Sequence, residues 1–315
     1  MTTLLLTHSC FVDHDTGEGH PERPDRMRVL DKVFADPRFD GLERAEAPMR
    51  DDCEEAILRV HPETYLARLK RLRPEAGQPA VRLDPDTVLS SGSWEAAMRA
   101  VGAGLEAVDK VFEDGRTITN AFCQVRPCGH HAEKERAMGF CLFSNAAIAA
   151  KYARARHGAE RIAVVDFDVH HGNGTQDVFW AEKDLFLAST HQMPLYPGTG
   201  APDEEGETGN ICNAPLRPND GGSQFREAFN SRVLPALTDF SPDLILISAG
   251  FDAHEADPLA NLRLVEDDFV WATDKLMNIA EHHCQGRVVS MLEGGYDLAA
   301  LGRSAAAHVD LLMGA

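Results

Sequence analysis

The run Ile162-Ala-Val-Val165 is short, apolar and largely β-branched, with no polar break. It predicts a strand buried on both faces, the kind found in parallel sheets covered by helices. The chain continues as Asp166-Phe-Asp-Val-His-His-Gly-Asn-Gly-Thr175. Side chains two apart on a strand share a face, so Asp166, Asp168 and His170 are expected to point the same way. Two carboxylates and an imidazole at a buried strand end are costly to desolvate unless a cation sits among them, and a metal ion is the simplest such cation.

Three more segments show an apolar run ending in chemistry. Thr117–Val125 runs into Arg126-Pro-Cys-Gly-His-His131, Leu244–Ser248 into Ala249-Gly-Phe-Asp252, and Val288–Leu292 into Glu293-Gly-Gly-Tyr296. Open parallel α/β sheets bind ligands outside the carboxyl ends of their strands, so these four ends point to one shared site. Helical patterns over Trp94–Phe112, Phe143–Arg156 (stopped by Gly158) and Asp267–His282 alternate with the strands. The 315 residues suffice for one large α/β domain, and no Gly/Ser/Pro linker divides them. Gln192–Asn219, rich in Pro, Gly and Asn, reads as a long surface loop.

Met1–Thr7 reads as a first buried strand, not a signal peptide, and no segment approaches the ~20 apolar residues of a membrane span. Seven scattered cysteines without a CxxC motif suit a reduced cytoplasm, each as a small buried hydrophobe or an inert thiol. The net charge of −19 argues against general nucleic-acid binding and is compatible with cationic substrates such as amines. Arg68-Leu-Lys-Arg-Leu-Arg73 reads as the solvated face of a helix.

Seven segments together resemble the histone deacetylase superfamily. They are His20-Pro-Glu-Arg-Pro24, Arg126–His131, Gly139-Phe140, Asp166–Thr175, Tyr196-Pro-Gly-Thr-Gly200, Ser248–Asp252 and Leu292–Tyr296, in family order along nearly the whole chain. Asn173 resembles the class II branch, and Cys128 stands where the family usually has a second proline. The resemblance implies one catalytic domain over residues 1–315, with a largely parallel eight-stranded central sheet and helices on both faces, as deacetylases and arginases share.

It also implies the chemistry. Asp168, His170 and Asp252 would hold one catalytic zinc, three protein ligands with open positions being the arrangement of a catalytic site. Fe(II) or Co(II) would suit the same donors. His131 would be the general base that takes the proton of the attacking water and returns it to the leaving amine, with His130 its electrostatic partner. Asp166 would orient His130, and Asn173 would orient His131. An amide partner should leave His131 with a lower pKa than a carboxylate would. The Tyr296 hydroxyl would donate to the oxyanion.

Gly139, Phe140 and Tyr196 would wall a narrow channel with His20 at its rim. His14 reads as a plain surface histidine, and His171, on the face opposite His170, as a supporting residue rather than a ligand. Asp166, Asp168, His170, Ser189 and Thr190 match a structural potassium or sodium site. The expected substrate is an N-acylated amine such as acetyl-lysine or an acetylated polyamine. Arg71–Asp86 carries no long insertion, which favours a broad amidohydrolase or small-molecule deacylase. A homo-oligomer is compatible with the resemblance. The rival readings are a two-metal ureohydrolase resembling arginase and a non-catalytic protein binding acyl-lysine or metal.

Overall fold

The Ile162–Val165 run becomes a buried strand ending at Asp166, in a computed structural model that describes residues 2–314. In chain order the strands are β1 (Thr2–Thr7), β2 (Glu43–Glu46), β3 (Val81–Arg82), β4 (Val88–Leu89), β5 (Ile118–Cys123), β6 (Ile162–Asp166), β7 (Leu185–Ser189), β8 (Ile211–Asn213), β9 (Leu244–Ala249) and β10 (Val288–Leu292). β3 and β4 form a small antiparallel hairpin. The other eight make one sheet in the order β2-β1-β5-β10-β9-β6-β7-β8. Every pairing within it is parallel.

Strands buried on both faces need helices on both sides, and adjacent residues of β10 show the two layers. Met291 points at Gly104 in helix Ser93–Phe112, where an added methyl would lie 3.1 Å from the Met291 Cε. Ser290, facing the other way, hydrogen-bonds through Oγ to His308 Nε2 at 2.8 Å, in helix Leu298–Leu312. Helix Asn145–His157 packs beside the first of these helices, and Glu266–Cys284 beside the second. The former ends as expected, with Gly158 as a left-handed cap.

The four strands expected to end in chemistry, β5, β10, β9 and β6, are consecutive at the centre of the sheet. Sequence order separates them widely; register brings them level, with Met291 paired to Cys123 and Asp166 to Ser248. The expectation for Met1–Thr7 holds over Thr2–Thr7, Met1 lying outside the described residues. The expectation of a plain loop needs correction. The Gln192–Asn219 loop contains β8, a three-residue edge strand too short to show a period-two pattern among its Pro, Gly and Asn neighbours. Arg68, Lys70, Arg71 and Arg73 are exposed on or just after helix Glu63–Leu72, as the solvated-face reading requires. Among the described residues no helix is long and apolar enough to cross a membrane.

Candidate active site and metal centre

Backbone donors fix the carboxylates before any ligand is considered. Asp166 accepts from Asp168 N at 3.0 Å and Asp168 accepts from His170 N at 2.9 Å, a repeated Asp turn at the end of β6. Asp252, beyond β9, accepts from Val169 N at 2.8 Å. Gly294, beyond β10, donates its N–H to Asp168 at 2.8 Å. A side chain at Gly294 would lie 2.1 Å from an Asp252 oxygen, so only glycine permits this approach.

These contacts bring Asp168, His170 and Asp252 together as expected. Their ligand atoms lie within 4.8 Å of one another, and all three residues are buried. His170 Nδ1 is 3.1 Å from Asp168 and 3.0 Å from Asp252. Burial opposes charge on His170, yet hydrogen bonds to Asp168 and Asp252 override it and hold the imidazole at about 10. Burial and then the charge of Asp168 push Asp252 up to about 7. Burial would raise Asp168 too, but the cationic His130 and His170 keep it well below the usual carboxylate range. Two crowded carboxylates that draw positive charge this strongly fit a divalent cation, and one nitrogen with two oxygens suits zinc.

The turn before the tandem histidines hangs on Glu293. Gly129 N and His130 N donate to its carboxylate at 2.7 and 3.1 Å. His130 Nδ1 lies 2.9 Å from Asp166, and His131 Nδ1 lies 2.8 Å from the Asn173 side-chain oxygen. The Asn173 amide is turned that way by Glu133, which accepts from its nitrogen at 2.7 Å.

The two histidines therefore diverge. Burial disfavours a charged His130, but Asp168 and Asp166 lift it well above its usual value. Burial, and then the charges of His130 and His170, drive His131 well below. The surroundings thus favour the charged form of His130 and the neutral form of His131, whose ring centroid is 4.0 Å away. Gly139, at φ +55°, lies against His131, where a methyl would be 2.3 Å from Cδ2.

Above this base opens a cavity of about 350 Å³ lined by His20, Pro21, Arg82, Pro85, Asp86, His131, Gly139, Phe140, His170, Leu195, Tyr196, Leu259 and Tyr296. It brings together the expected wall residues Gly139, Phe140 and Tyr196, the rim residue His20 and the expected oxyanion donor Tyr296. The Tyr196 ring stands 5.2 Å from His131 and the Phe140 ring 5.8 Å from Tyr296. His20 Nε2 lies 3.0 Å from the Asp86 carbonyl, its Nδ1 accepts from Glu22 N at 3.1 Å, and its ring meets Phe140 edge to face. His171 bonds Thr199 and Gln176 and stays out of the triad.

For the expected monovalent-cation residues, β6 and β7 pair Asp166 with Ser189. Thr190 carries a buried hydroxyl with no hydrogen-bond partner among the described residues. His14 is not a surface histidine. It is 1 % exposed, its Nδ1 is 2.6 Å from Ser93 Oγ, and burial pushes it down to about 4. A short loop residue betrays no burial in sequence, since the helix that covers it lies about eighty positions away.

Several supporting residues were not singled out from the sequence. Arg26 is wholly buried, donates to the carbonyls of Gly295 and Glu293, and sits over the Tyr296 ring at 5.1 Å. Glu22 pairs with Arg26 and Arg126 in the same interior cluster. Glu22, Arg126 and Glu293 lie inside recognised motifs, so their presence was visible though not their roles. Asp257, which accepts from Tyr296 N at 2.7 Å, had no signal at all.

The family model described as "Histone deacetylase domain" matches residues 20–312. A histone deacetylase-like amidohydrolase of Pseudomonas aeruginosa is 39 % identical over 93 % of this chain and 77 % of its own length. An uncharacterised protein of Synechocystis is 41 % identical over 93 % of this chain and 94 % of its own. The crystal structure of the HDA15 HD domain superposes with a TM-score of 0.91 at 33 % identity, covering 100 % of this chain and 90 % of that one. A family model spanning most of the sequence and a solved fold superposing on all of it lead to one conclusion: the chain belongs to the histone deacetylase family.

Proposed function

We propose that the protein is a zinc-dependent deacetylase that hydrolyses the amide of an N-acetylated or otherwise short-chain N-acylated amine. The observation that carries this reading is the meeting of the Asp168–His170–Asp252 triad, a neutral buried His131 and Tyr296 at the foot of one largely apolar cavity. Asp168, His170 and Asp252 would hold the zinc, which when bound would supply Lewis acidity toward an amide carbonyl and a water. His131, kept neutral by burial and by charged His130, takes the proton of that water and passes it to the departing amine. Asn173 aims the ring without adding a charge that would hold the proton. Tyr296 donates its hydroxyl to the oxyanion as charge develops. Phe140, Tyr196, Leu195 and Leu259 enclose the alkyl arm of the amine and keep bulk water away.

The buried, unpartnered Thr190 hydroxyl supports a monovalent cation near Asp166 and Ser189 as a structural element. Seven free cysteines support the expected cytoplasmic setting. The whole chain acts as one catalytic domain in this reading. Acetyl-lysine peptides, acetylated polyamines and longer acyl amides, incubated with protein of known zinc content, test it by acid released. Hydrolysis of none of them by zinc-loaded protein overturns it. So does full turnover in protein stripped of metal.

A further inference from the structure

Cys128 and Cys141 are two thiols that touch. Their sulfurs are 3.2 Å apart, and both are buried in a small cluster with Ala132 that is separate from the main core and packed under Phe140. Both sulfurs also face the Gly139 carbonyl, at 3.8 and 3.2 Å. Cys128 immediately precedes Gly129 and the tandem histidines, and Cys141 immediately follows Phe140. The pair therefore joins the loop that carries the candidate base to the wall of the cavity. The neighbouring Glu293 carboxylate is occupied by Gly129 N, His130 N and Ser248, which leaves the sulfurs facing each other.

We propose that Cys128 and Cys141 form a reversible disulfide when the protein meets hydrogen peroxide, and that this bond lowers activity by moving His131 and Phe140 out of register. In the first step a sulfur attacks the peroxide, the O–O bond breaks, the sulfur keeps a hydroxyl and one water leaves. The second sulfur then attacks the first, the S–S bond forms and a second water leaves. Two thiols are oxidised and one peroxide is reduced. The first step is slow, because burial holds the Cys141 thiol well above its usual pKa. The second is fast, because the partner is already in contact. Peroxide is small enough to enter the cavity whose wall, Gly139 and Phe140, adjoins Cys141.

A disulfide needs sulfurs about 2.05 Å apart, so the two sulfurs must close by roughly 1 Å, through side-chain rotation and movement of the two loops together. A shift of that size at reacting groups costs on the order of 10²-fold in rate. Cys128 also stands where the resemblance leads one to expect proline.

The test treats zinc-loaded protein with hydrogen peroxide and maps its peptides without reduction. The expected result is a Cys128–Cys141 cross-linked peptide, an intact mass lower by two hydrogens, and a fall of about 10²-fold in kcat that dithiothreitol restores. Cys128→Ser should keep the activity of the reduced protein and lose the dithiothreitol-reversible inhibition. Absence of the cross-linked peptide overturns the proposal, as does a Cys128→Ser protein that peroxide inhibits with the same reversibility. Full activity in the cross-linked protein overturns the regulatory half. The peptide map needs no substrate, so a protein that forms the bond but hydrolyses nothing counts against the deacetylase reading alone.

Discussion

The foot of the cavity and its mouth are built differently. At the foot the groups are buried, and the carboxylates and the histidine turn are held through backbone N–H donors: Asp168 by His170 N and Gly294 N, Asp252 by Val169 N, and the turn by Gly129 N and His130 N on Glu293. Apart from the local Asp168–His170 turn, these ties link the ends of β5, β10, β9 and β6, so the central part of the parallel sheet sets the geometry. The mouth is made of loops. Tyr196 is 39 % exposed, and Arg82 and Pro85 belong to the β3–β4 hairpin, which pairs with no strand of the main sheet. The contrast teaches that chemistry is fixed by the sheet while substrate choice is left to segments that can vary without disturbing it.

The largest expected effect strikes the foot. Asp252→Ala should remove most of the zinc and lower kcat by roughly 10³-fold or more, since the Lewis acid is worth several kcal/mol. Circular dichroism should be unchanged, because the variant also relieves two crowded carboxylates. Elemental analysis showing full zinc in that variant would break the assignment.

Next comes Tyr296→Phe, which keeps the ring over which Arg26 lies. Loss of one oxyanion donor should lower kcat by about 10²–10³-fold, with KM little changed. A near-normal kcat would return Tyr296 to a purely structural role.

The third effect concerns what lies beneath the foot. His308, buried between Thr273 and Ser290, is pushed down by burial to about 3. Its folded pKa lies below the unfolded value, so the unfolded chain takes up the proton first and stability falls as pH drops below about 6.5. Between pH 7 and pH 5 this one histidine should cost about 2 kcal/mol of unfolding free energy. Urea titrations of His308→Gln should show that much less pH dependence; an unchanged slope would place the loss elsewhere.

The smallest effect is expected at the mouth. Tyr196→Ala removes a half-exposed wall and should lower kcat/KM by roughly tenfold, mostly through KM, because partial burial of an aromatic is worth about 1–2 kcal/mol. A fall in kcat as large as that of Tyr296→Phe would erase the distinction between foot and mouth.

Much of the foot was legible because its signal is local. An apolar β-branched run followed by Asp-x-Asp-x-His states both a buried strand and a polar end, and three other runs repeat the statement. Strand spacing anticipated a polar cluster at this end, but β6 stops at Asp166, and Asp168 and His170 are positioned by the turns beyond it rather than by strand alternation. The resemblance supplied Asp166 for His130 and Asn173 for His131, and the hydrogen bonds agree. The mouth was less legible. Leu195, Leu259 and Asp86 come from three separate loops with no periodicity to mark them.

By itself, then, the sequence determined which strands are buried, that their ends carry the chemistry, and which residue types are available there, because burial period and residue chemistry are properties of short segments. Tertiary structure alone decided that β5, β10, β9 and β6 lie side by side. It made Glu293 and Asp257 the anchors of the histidine turn and the tyrosine, and it put Cys128 in contact with Cys141. The physical reason is distance along the chain. The partners of Asp257 and Glu293 lie 39 and more than 160 residues away, and only strand order and register bring such groups within hydrogen-bond reach.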